Sequence, residues 1–185
     1  MSESLQSTKS DISFVGACCD PEMHALLPEQ LYQGSLEAFA HLVKDYKTPL
    51  FQFFQRLLAD NAVAEDSSEK VFLRAYRMRN LLKARTDLTA WIFRIACDLL
   101  RHRELLAILK QASSAWPIQQ ALRALPVQQQ IAILLHRFAG LRAGQIGAAL
   151  RVRESVAWQL IVESYRALQQ QMTRYSPNPL QGAAQ

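Results

Sequence analysis

Apolar residues recur along this chain at intervals of three and four, the spacing of one helical face, and strict alternation nowhere lasts beyond a few positions. The pattern predicts an all-α protein. Between Leu31 and Tyr46 the apolar set Leu31, Leu36, Phe39, Leu42, Val43 and Tyr46 leaves Glu37, Lys44 and Asp45 for the outside. Thr48-Pro49 reads as the start of a second helix, since proline at a first helical position loses no hydrogen bond, and "LFQFFQRLLAD" after it is apolar on most of its circumference. Asn61 is a cap for "AVAEDSSEKVFLRAYRMRN", whose early acids and late bases suit the helix dipole. Thr86 or Asp87 can cap the next helix, with Leu88, Trp91, Ile92, Ile95, Ala96 and Leu99 on one side, and it can continue through "RHRELLAILK".

Pro117 and Pro126 each suit a helix start, Gly140 suits a left-handed C-terminal cap, and "AGQIGAAL" and "RVRESVAWQLIVESYR" give two more helices. The first thirty residues show no sustained period, so structure is expected to begin near Pro28. The expected organisation is an arm over 1–29, a helical domain over 30–103, a linker over 104–115, a helix-turn-helix domain over 116–173 and a tail over 174–185. Ser113 and Ser114 mark the junction.

Composition narrows the possibilities further. Half of the 185 residues are hydrophobic, enough for one good core or two small ones, and no stretch approaches the roughly 20 apolar residues of a membrane span. A cytoplasmic location without membrane insertion is the expectation, and the first residues lack the order of a signal peptide. Cys18, Cys19 and Cys97 form no disulfide framework, and Cys18, Cys19 and His24 read as free groups in the arm in preference to a partial metal site. His24, His41, His102 and His136 fall in separate segments with no nucleophile or phosphate loop, so neither an enzyme nor a cofactor is expected.

Charge divides along the chain. Residues 1–66 carry four basic and ten acidic side chains, a net −6, whereas residues 67–185 carry seventeen basic and six acidic, a net +11. The basic later part suits a polyanion such as DNA or RNA.

"GSLEAFAHLVKDYKTPLFQFFQRLL", "AEDSSEKVFLRAYR" and "TAWIFRIACDLLRHR" together resemble the second conserved region of bacterial RNA polymerase sigma factors, most closely the extracytoplasmic-function group. The stretch "ALRALPVQQQIAILLHRFAGLRAGQIGAALRVRESVAWQLIVESYRAL" is similar to the family's fourth region, a promoter-reading helix-turn-helix. The two regions span roughly 33–172. The resemblance implies two small helical domains, core RNA polymerase and promoter DNA as partners, and an anti-sigma factor as a candidate third.

By position, the resemblance assigns polymerase binding to the helix 64–77, with Glu65, Asp66, Glu69, Phe72, Leu73 and Tyr76 as its contacts. The loop 78–87 and the following helix would hold the downstream promoter element and a flipped base, with Arg77, Arg79, Lys83, Arg85 and Arg94 on DNA. Tyr76 and Phe93 offer rings for unstacked bases, while Phe72, Trp91 and Ile95 read as core. In the helix-turn-helix the candidate DNA contacts are Arg151, Arg153, Ser155 and Gln159.

The chain departs from the family pattern at identifiable places. Lys70 reverses a charge on the polymerase-facing surface, and Cys97-Asp98 replaces a basic residue and Asn near the DNA. Arg151 stands where the tight turn between crossed helices normally uses glycine, and Trp158 and Glu163 suit protein contact as well as a groove. The alternative reading is therefore a sigma-like adaptor or anti-sigma decoy that works by protein contact. About a dozen linker residues reach at most roughly 40 Å extended, against about 70 Å for elements two DNA turns apart, so the two modules are expected to pack together.

Overall fold

The computed structural model describes residues 21–101 and 117–175, all helical or in turns among those described. Eight α-helices occur there: α1 (Pro21–Tyr32), α2 (Leu36–Leu58), α3 (Asn61–Met78), α4 (Leu88–Leu100), α5 (Pro117–Arg123), α6 (Val127–Arg137), α7 (Ala143–Leu150) and α8 (Glu154–Tyr175). A single 3-10 turn, Arg79–Leu81, follows α3. The arm to residue 20, the continuation of α4 past Arg101, the serine junction and the tail lie outside the described residues.

The N-terminal helices differ from the expectation in three ways, two of them caused by apolar burial and one by a glycine. Helix α1 already runs from Pro21, and Pro28, where structure was expected to begin, sits inside it, because Leu27 and Leu31 are both buried at 2% exposure and anchor the helix. Next, the expected helix from 31 to 46 is interrupted at Gly34, whose φ of +84° only glycine adopts freely, and Ser35 opens α2 by accepting the Ala38 N–H. Finally, α2 runs straight through Pro49, where a new helix was expected. An interior proline costs about 3 kcal/mol, but Tyr46, Leu50, Phe53, Phe54, Leu57 and Leu58 are all buried along this helix. At about 1.5–3 kcal/mol each, their burial outweighs the lost bond.

The caps are specific. Asp60, one residue before the expected Asn61, accepts the Val63 N–H at 3.0 Å, while Asn61 receives the Gln55 side-chain amide. Asp87 caps α4 through the Ala90 N–H, and Thr86 instead closes the loop by accepting the Lys83 N–H. Pro117 opens α5 and Pro126 precedes α6, as expected, and Gly140 leaves α6 with φ +67°.

Helices α2, α3 and α4 pack around Tyr46, Phe53, Phe54, Ile92 and Phe93, and α6, α7 and α8 around Leu134, Leu135, Ile146, Ala157 and Ile161. Phe72 and Ile95 are core as expected; Trp91 is only half-buried against it. The two groups meet, α4 lying against α7 and α2 against α6, with the Arg56 guanidinium 3.8 Å above the Phe138 ring.

Within the helix-turn-helix, Gly147 lets the helices cross closely: a Cβ there would lie 2.9 Å from the Val152 carbonyl oxygen. Because that neighbour is backbone, Gly147→Ala should destabilise the protein by about 1–3 kcal/mol, read as a lower thermal midpoint. Ser164, fully buried, fixes α8 to α6 through its hydroxyl on the Gln129 carbonyl at 3.0 Å.

Candidate functional site

The outer face of α3 brings together the side chains assigned to polymerase. Glu65, Asp66 and Glu69 are exposed, Leu73 is 60% exposed, and Tyr76 is half-buried with its ring edge-to-face on Phe39 at 5.2 Å. Phe72 differs, since at 8% exposure it forms a wall and not a contact surface. Sequence reasoning missed the other half of this face. Leu36, Phe39 and Val43 of α2 complete an apolar groove with Glu69, Phe72, Leu73 and Tyr76, and Leu36 is 72% exposed at its edge. The signal was present, because these three fall at i, i+3 and i+7, but the spacing does not distinguish an outward stripe from the inward one formed by Leu42 and Tyr46. Lys70 pairs with Asp66 on the same helix at 2.6 Å, and with both side chains more than half exposed this bond contributes little.

Downstream of the groove lies the basic loop. Arg77, Lys83, Arg85 and, on α4, Arg94 are exposed. Arg79 is set apart from them: its Nη1 donates to the Tyr76 carbonyl at 2.9 Å and its guanidinium lies 4.4 Å above the Tyr76 ring. This engages the Tyr76 ring that was expected to stack on bases. Phe93 is no base platform either, being fully buried and edge-to-face with Phe53 at 5.7 Å. In their place the loop offers an open cavity lined by Ala84, Arg85, Thr86, Asp87, Leu88 and Thr89, closed on one side by Pro28 of the unexpected α1. Behind it the Tyr46 hydroxyl and Thr89 hydroxyl hydrogen-bond at 2.6 Å, which steadies the floor.

In the helix-turn-helix, Arg151 does adopt the left-handed conformation that its position called for, with φ 61° and ψ 41°. For a residue with a Cβ that conformation costs about 1–2 kcal/mol. Its side chain meets Asp98 of α4, Nη2 to Oδ2, at 2.6 Å. Arg101 also approaches Asp98 at 3.5 Å and donates to the Leu150 carbonyl. Asp98 thus faces two guanidinium groups, not phosphate. A second tether joins the other ends of the same helices, where the Gln145 amide donates to the Asp87 carboxylate at 2.8 Å.

At the start of α8, Arg153 and Ser155 are exposed as a reading face requires. Gln159 is exposed but donates to Glu163, which also accepts from Gln129 of α6. Trp158, 56% exposed, is the largest ring on that face.

Cys97 faces the core, and burial first, then the neighbouring Asp98 charge, pushes its thiol pKa up to about 12. A thiol held protonated in the folded state while the unfolded chain ionises near pH 9 weakens folding as pH rises through that window. We expect Cys97 to resist thiol reagents at pH 8 in the native protein and to react only on unfolding, as mass spectrometry of pulse-labelled protein would read. Cys18 and Cys19 lie outside the described residues, and among those described no group of three or more His, Cys, Asp or Glu side chains could hold a metal ion. No described helix is long and apolar enough to cross a membrane.

No protein-family model matches the chain. It is 32% identical over 75 residues to the ECF RNA polymerase sigma factor SigW of Bacillus subtilis (strain 168), a match that spans 40% of this chain and 40% of that relative. In structure it is similar to CnrH, solved in complex with the cytosolic domain of CnrY, with a TM-score of 0.70 at 19% identity over 83% of this chain and 99% of that one. A solved RsbN-BldN complex also matches, at a TM-score of 0.38, too low to bear on this fold. The chain is thus similar in sequence to an extracytoplasmic-function sigma factor over two-fifths of its length, and its all-helical fold is that of CnrH.

Proposed function

We propose that the protein is a sigma factor of the extracytoplasmic-function type, which docks on core RNA polymerase through α2 and α3 and directs it to promoter DNA. The observation that carries this reading is the open groove between Leu36, Phe39, Val43, Leu73 and Tyr76, beside the exposed acids Glu65 and Glu69. A groove of that shape receives an apolar helical ridge, and its acidic rim favours a basic border on the partner.

The DNA step follows from the loop and α4. Arg77, Lys83, Arg85 and Arg94 hold phosphates, and each contact releases counterions and adds to the salt dependence of binding. The cavity between Pro28 and Thr89 takes a base turned out of the stack. Extrusion costs a few kcal/mol, which base contacts of about 1–3 kcal/mol each offset only with phosphate anchoring beside them. Arg153 and Ser155, with Gln159 once it leaves Glu163, read the upstream element. CnrH was solved with a protein partner, the cytosolic domain of CnrY. By the same fold, a regulatory partner of anti-sigma type is part of the proposal.

Leu73→Asp puts a charge into the groove and should weaken core-polymerase binding at least tenfold, about 1.4 kcal/mol or more, without changing the thermal midpoint. Co-purification of core polymerase with tagged protein measures this. A wild-type protein that fails to retain core polymerase would sink the proposal.

A further inference from the structure

We propose that Asp98 and Arg151 form an ionic latch that keeps the promoter-side face of α4 closed against α7, and that the phosphate backbone of DNA opens it by competing for Arg151. The inference rests on the DNA-facing reading of α4 and its loop, and adds the regulation of that surface.

The geometry carries it. Asp98 and Arg151 are 53 positions apart in the chain and meet at 2.6 Å across the two groups of helices. The Asp98 side chain is only 16% exposed, so its charge needs a partner, whereas the Arg151 side chain remains 50% exposed and within reach of a polyanion. Arg101 completes the cluster by holding both Asp98 and the Leu150 carbonyl, next to the turn. At the opposite end the Gln145 amide rests on Asp87, the residue that caps α4 and lines the loop cavity. A base that enters that cavity therefore meets Asp87 beside its contact with the start of α7.

Arg151 also occupies a left-handed backbone position where glycine would relax the turn. The strain is retained together with a side chain that reaches Asp98. Both residues depart from the pattern that the family resemblance implies, and each departure supplies the partner the other requires.

The closed arrangement and Arg151 contact with DNA exclude one another. Phosphate that takes Arg151 leaves Asp98 with Arg101 alone and adds a second anionic site beside it, so DNA binding and opening are coupled, with a coupling reciprocal by linkage. The latch is half-exposed, and salt screens it.

The test is an inter-helix distance in the full chain. Spin labels at Ala62→Cys on α3 and Gln169→Cys on α8, with Cys18→Ser and Cys19→Ser, report opening by pulsed electron resonance. The unaltered pair should give one short distance. Arg151→Gly, which relaxes the backbone but removes the guanidinium, should reduce the closed fraction at least fivefold, and Arg151→Asp should do the same. The double variant Asp98→Arg, Arg151→Asp should restore the short distance. A closed population unchanged in Arg151→Gly, or unrestored in the double variant, overturns the latch. A forked DNA duplex added to the same samples separates the two readings: opening on addition supports the coupling. Absence of binding by every variant removes the promoter reading and with it the DNA-driven opening.

Discussion

Phe93→Ala lowers the stability of the protein by about 3–5 kcal/mol, measured as a shift of the urea unfolding midpoint at unchanged slope. The ring is wholly buried, edge-on to Phe53, which is in turn edge-on to Phe54 at 5.4 Å. Removing it leaves a cavity in the centre of α2, α3 and α4, where α2 has already accepted an interior proline and ends on Ala59 in the left-handed region. Native domains have only about 5–15 kcal/mol in total, so the variant approaches unfolding at growth temperature. A ring that served DNA would give the opposite result, with stability kept and DNA affinity lost.

If the proposed function holds, removing Arg77, Lys83, Arg85 and Arg94 together, each as alanine, should reduce the slope of log affinity against log salt by about 3 and weaken promoter DNA binding on the order of 10³-fold at moderate salt. These four side chains are exposed, so stability should stay within about 0.5 kcal/mol per site. Core-polymerase binding should persist, because none of the four lines the groove. Arg79→Ala should behave differently. It loses a backbone hydrogen bond and its stack on Tyr76, so it lowers stability as well as DNA affinity.

Much of this was legible in the sequence, and the failures share a physical origin. Helical period identified the all-α class, and the proline and glycine signals identified the α6 start after Pro126 and the exit at Gly140, because local propensity and tertiary packing agree there. They disagree at Pro28 and Pro49, where burial of neighbouring leucines and aromatics overrides a local breaker. The α3 half of the groove came from resemblance, while its α2 half stayed hidden. A sequence shows two apolar stripes on one helix without saying which has a partner in the fold. Likewise the left-handed turn at Arg151 followed from the resemblance to a helix-turn-helix, but the destination of its side chain depended on Asp98, a residue close only in three dimensions. Phe93 failed for a related reason: within a helix of high apolar content, which ring faces outward is decided by packing.

The proposed role in directing polymerase to promoters is tested most directly by transcription reconstituted from purified core polymerase, this protein and sheared genomic DNA. Mapped transcript ends should fall at a limited set of sites that share an upstream motif, and they should vanish with Leu73→Asp. Core polymerase that retains the protein yet starts at no defined site would contradict the account and leave a protein that acts by contact alone.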